Sequence, residues 1–95
     1  MLQETAISAT VYQVLDQVLA DASVASSSRC AMFFVIDSLR QISAPVEDIR
    51  RAEAISLQIH KLEWALQKRD AAGSTAALDE LRLLAAGWLD SRICS

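Results

Sequence analysis

Apolar residues recur at alternating steps of three and four along most of this 95-residue chain, a spacing that gathers them on one side of an α-helix. The longest such run lies between Pro45 and Gly73. Within it Ala52, Ile55, Ile59, Leu62 and Leu66 make a narrow stripe that reads as a core face. Pro45 suits the first helical position, where its missing N–H costs nothing. Glu47 and Asp48 follow where the positive end of the helix dipole favours carboxylates. Lys68 and Arg69 lie toward the other end, and Gly73 is a ready left-handed stop. The pattern therefore predicts one long central helix at about 45–72. At roughly 1.5 Å per residue it is about 37 Å long, against a radius of gyration of about 12 Å for a compact chain of this length, so the other helices should lie alongside it.

Three shorter helices are expected. In the first, at about 2–22, Ile7, Val11, Val14, Leu15, Val18 and Ala22 keep the helical rhythm, while Glu4, Gln13, Asp16, Gln17 and Asp21 take the other side. Ser23 to Ser28 is a polar break rich in candidate N-caps. The second helix, at about 27–42, carries Met32, Val35, Ile36, Leu39 and Ile42. Taken alone, Cys30 to Ile36 fits a buried strand equally well, but no second strand exists to pair with it. After Gly73, Ser74 or Thr75 can cap a fourth helix at about 75–92, with Ala77, Leu78, Leu81, Leu84, Ala85 and Trp88 as its buried face and Leu83 pointing elsewhere. Short connections favour antiparallel neighbours. The expected fold is all-α: a four-helix antiparallel bundle in up-down-up-down order, one domain over residues 1–95.

The long helix has a second side. Val46, Leu57 and Trp64 fall well around from the core stripe, among Arg50, Glu53, His60, Lys61 and Lys68. A tryptophan there is either shielded by the stems of Lys61 and Lys68, with cation–π help, or covered by another subunit or protein. On the second helix Phe33 shares a line with Arg29, Asp37 and Arg40. That helix is either buried nearly all round in the bundle centre or makes a subunit contact through Phe33. The interface candidates are Leu57, Trp64, His60, Lys61, Phe33 and Val46.

Composition sharpens this. Hydrophobic residues make up 53% of the chain and mean hydropathy is +0.25, high for a small domain, which has proportionately the most surface to keep wet. Oligomerisation is the natural outlet, and a homodimer is the expected state. A net charge of −3 with nine scattered bases disfavours nucleic acid. The first twenty residues hold no Lys or Arg, so they lack the charged start of a signal peptide, and the unbroken apolar run Cys30 to Ile36 is too short to cross a bilayer. A cytoplasmic protein without membrane contact is expected. Cys30 and Cys94 suggest neither a disulfide framework nor a zinc site, so free thiols are the simpler assumption.

Chemistry finds little to stand on. The single histidine, His60, with Glu63 three residues on, supplies neither a di-metal site nor a zinc site within one chain. No glycine-rich phosphate loop or nucleophile elbow is present. The pairs Glu47/Asp48 and Asp79/Glu80 stand at helix starts, where the dipole accounts for them. Neither a catalytic residue nor a cofactor or metal is assigned. The expected size and architecture are shared with the histidine phosphotransfer domains, whose phosphoacceptor lies in an H-x-x-K-G-like motif. The nearest stretch, Asp37-Ser38-Leu39-Arg40-Gln41, has aspartate in the histidine's place, and His60 is followed by Lys61-Leu62-Glu63-Trp64, so the motif is absent. The expected function is an acidic helical interaction module, an adaptor, regulator or inhibitor that works by contact with another protein and with itself rather than as an enzyme. The alternatives are a secretion-type chaperone, a degenerate phosphotransfer-like bundle, or a dimeric DNA-binding regulator.

Overall fold

Among the described residues four α-helices follow one another: α1 (Glu4–Ala20), α2 (Ala25–Gln41), α3 (Val46–Gln67) and α4 (Ala71–Ile93), with a 3₁₀ turn (Ala22–Val24) between the first two. The computed structural model describes the backbone of residues 4–93 and the side chains of residues 6–88, and the described residues contain no strand. The Met32 segment is therefore helical. Cys94 lies outside the described residues.

Each helix buries the stripe that its periodicity marks. Ile7, Val11, Val14, Leu15 and Val18 of α1 join Met32, Val35, Ile36 and Leu39 of α2, Ala52, Ile55, Ile59 and Leu62 of α3, and Ala77, Leu81 and Trp88 of α4 in one core. Consecutive helices pack side by side, and α1 also touches α4, so the four close around that core. The register of α2 against α3 is marked by two ion pairs. Arg29 Nε lies 2.8 Å from Glu63 Oε2, near the start of one helix and the end of the other, while Arg40 meets Glu53 at 3.5 Å at the opposite end. These two helices run antiparallel. At about 1.5 Å per residue the 22 residues of α3 measure about 33 Å, most of the 38 Å long axis of the molecule.

The structure departs from expectation in three places. The long helix stops at Gln67, not at about 72. Arg69 takes the left-handed conformation (φ 55°) in place of Gly73. Its N–H donates to Leu66 O, and Asp70 N–H donates to Ala65 O at 2.8 Å, the crossed pair of bonds that closes a Schellman end. Asp70 then caps α4, accepting from Gly73 N–H at 3.0 Å, so α4 begins at Ala71 rather than about 75 and, at 23 residues, matches α3 in length. The α2–α3 junction repeats the device: Ser43 (φ 54°) is left-handed, Ser43 N–H donates to Arg40 O and Ala44 N–H to Leu39 O.

The second departure is the serine run. The chain breaks at Asp21, whose carboxylate accepts from Ser23 N–H at 3.0 Å and caps the 3₁₀ turn. Those contacts with Ser23 hold the Asp21 carboxyl below its ordinary value of 3.8. Ser26 to Ser28 are already helical, and Ser28 is buried with Ser38 and Ser56. The third is Leu66, expected in the core and 40% exposed. At that end α3 turns its neighbour Ala65 toward Gly73 of α4, so the small residue is covered and the leucine is left outside.

Candidate functional site

The side of α3 turned away from the core keeps its apolar residues in solvent. Leu57 is 51% and Trp64 55% exposed, seven residues and about two helical turns apart. Phe33 on α2 is 56% exposed, so α2 is not buried all round. Phe34 beside it is also half exposed, a residue that periodicity had not singled out. His60 and Lys61 are exposed too.

Two open grooves flank this side of α3. The groove between α2 and α3, about 720 Å³, is lined by Phe33, Ile36 and Leu57 among the apolar residues, and by Arg29, Arg40 and Arg50 among the cations. The groove between α3 and α4, about 890 Å³, is lined by Leu57, Lys61, Trp64, Lys68 and, from α4, Ala76 and Glu80. Leu57 and His60 line both. Five of the six interface candidates thus share one face. Val46 is exposed but lines neither groove, standing eleven residues, about 16 Å, before Leu57.

Cations sit close to the two aromatic rings. Lys68 Nζ lies 4.5 Å from the centroid of Trp64, so one lysine ammonium stands over the ring and yet leaves over half of the residue open. Lys61 makes no such contact among the described residues. Arg29 reaches Phe33 at 5.9 Å while pairing with Glu63. Arg29 is thereby held against the groove wall by a carboxylate and a ring together. Among the described residues Arg50 and Lys61 pair with no carboxylate.

No reactive arrangement accompanies these grooves among the described residues. No group of three or more His, Cys, Asp or Glu side chains is placed to hold a metal. His60 stands exposed between the grooves, with no hydrogen-bond or charge partner among the described residues. Among the described residues, no helix is long and apolar enough to cross a membrane. No family model, characterised protein or solved structure matches the chain.

Proposed function

We propose that this chain is a small helical interaction module that binds another protein through the outward side of α3 and the adjoining edge of α2, and that acts by contact rather than by bond chemistry. The observation that carries this is the trio Phe33, Leu57 and Trp64, each more than half exposed, on adjacent helices and lining two grooves that share Leu57 and His60. Isolated exposed leucines are ordinary on any protein. Three large apolar side chains on one face, two of them aromatic, are the composition of an interface centre.

Site-directed photocrosslinking tests the reading. A benzophenone side chain placed at position 61, beside Leu57 and Trp64, is expected to give a discrete adduct in an extract of the source cell. The adduct should vanish in Leu57→Asp and Trp64→Ala while the helical circular dichroism spectrum is retained. A protein whose every association survives both substitutions does not use this face.

A further inference from the structure

The two grooves differ in charge, and the difference selects an occupant. Three arginines and one carboxylate, Glu53, line the α2–α3 groove and a second carboxylate, Glu63, pairs with Arg29 beside it, so three bases and two acids meet here against six bases and ten acids in the rest of a chain whose net charge is −3. The α3–α4 groove is balanced, with Lys61 and Lys68 against Asp70 and Glu80. The basic groove is therefore a local reversal of the protein's overall sign. Arg29 is fixed at its wall by Glu63 and Phe33, Arg40 is exposed and shares Glu53, and Arg50 is exposed with no carboxylate partner among the described residues. The same groove is lined by the apolar residues Phe33, Ile36, Ala54 and Leu57. We propose that the α2–α3 groove receives an acidic amphipathic helix of another protein, laid along α2 and α3 with its apolar side toward Phe33 and Leu57 and its carboxylates toward Arg40 and Arg50.

The inference rests on the face being an interaction surface and adds the chemistry of what covers it. Helices dock into such grooves through anchors at i, i+3, i+4 and i+7, and charge at the rim sets which partner is accepted. A second copy meeting the same groove across a two-fold axis would bring two patches with the same excess of arginine together, a like-charge contact. A nucleic acid would bring the right sign but no apolar side chains for Phe33 and Leu57.

Fluorescence anisotropy with three labelled peptides of about 20 residues, about 30 Å when helical, decides it. The first carries leucine and phenylalanine at helix-face spacing and glutamate elsewhere; the second has lysine for every glutamate; the third has serine for every apolar residue. The first is expected to bind in the micromolar range, at least about tenfold more tightly than either of the others, and to weaken several-fold between roughly 50 and 300 mM salt. Arg40→Glu combined with Arg50→Glu, both exposed positions, should reverse the preference between the first two. Equal binding of the glutamate and lysine peptides, with both lost in Leu57→Asp, overturns the acidic occupant and keeps the interaction face. Binding of neither peptide, or equal binding of the serine peptide, overturns it as well. Displacement of the acidic peptide by a short DNA duplex assigns the groove to nucleic acid instead. A mass that doubles in light scattering, depends on Leu57 and excludes the acidic peptide assigns it to a second copy.

Discussion

The two tryptophans of this chain should respond to truncation in opposite ways. Trp88 is 2% exposed and sits in the common core, whereas Trp64 is 55% exposed with Lys68 over one part of its ring. Removing a fully buried indole strips both its burial and its packing, about 3–5 kcal/mol. For a domain of this size that corresponds to a melting temperature lower by roughly 15–30 °C, a large share of total stability. Trp64 keeps just under half of an indole's roughly 250 Å² covered, which at about 25 cal/mol per Å² is worth at most about 3 kcal/mol. Part of that cover comes from its own helix neighbours, and alanine is the better helix former, so the expected loss for Trp64→Ala is about 1 kcal/mol. In partner binding the order inverts: Trp64→Ala should cost at least about 2 kcal/mol, some thirtyfold in affinity. Urea and thermal unfolding followed by far-ultraviolet circular dichroism give the first pair of numbers, and anisotropy or calorimetry with the captured partner gives the second. Equal destabilisation by Trp64→Ala and Trp88→Ala would show that Trp64 is part of the structural core, and the interaction reading would lose its centre.

Two further contrasts follow from the helix ends. Gly87→Ala meets open space and should stabilise α4 by about 0.5–1 kcal/mol. The same change at Gly73 puts a methyl 2.6 Å from Asp70 Oδ2 and 3.3 Å from Ala65 Cβ. It displaces a cap worth about 1 kcal/mol, and the melting temperature should stay level or fall. Ser43→Gly and Arg69→Gly relieve left-handed backbone at non-glycine residues and should each raise stability by up to about 1 kcal/mol in urea titrations; a loss at either position would refute the Schellman assignment of that end.

The core was legible in the sequence because helical burial leaves a regular trace. Ile7 to Val18, Met32 to Leu39 and Ala52 to Leu62 all carry the three-four spacing and are all buried. The helix ends were harder, since several residues compete for each role. Gly73 is the conventional left-handed stop, yet Arg69 takes that conformation, and Gly73 lies within α4 against Ala65. Asp70 was the available signal: an aspartate followed by Ala71 and Ala72 is a cap before strong helix formers. The candidate face was legible for Leu57, Trp64 and Phe33, where apolar residues interrupt a charged line. Phe34 escaped, since it lies inside an unbroken apolar run with no polar neighbours to show which side is outward. The groove charge could not be read either, because it joins Arg29 and Arg40 of one helix to Arg50 of another.

The exposed trio is not explained by the needs of the fold. The core is closed by residues of all four helices without Phe33, Leu57 or Trp64. At an exposed helical position glutamate, lysine or glutamine would hydrate well and, in place of either aromatic, favour the helix more. Trp64 and Phe33 therefore give up local helix propensity, and all three leave apolar area in water, as Phe34, Val46, Leu66 and Leu83 also do. Such conflicts are expected where a surface is kept for another use. The cations follow the same logic. Arg29 spends a partly covered ion pair on a position beside Phe33, and Lys68 lies on Trp64, so charge and ring are held together at two places along one face. The Arg29–Glu63 pair also joins α2 to α3, and a partner helix presenting leucines flanked by carboxylates meets both cation–ring pairs.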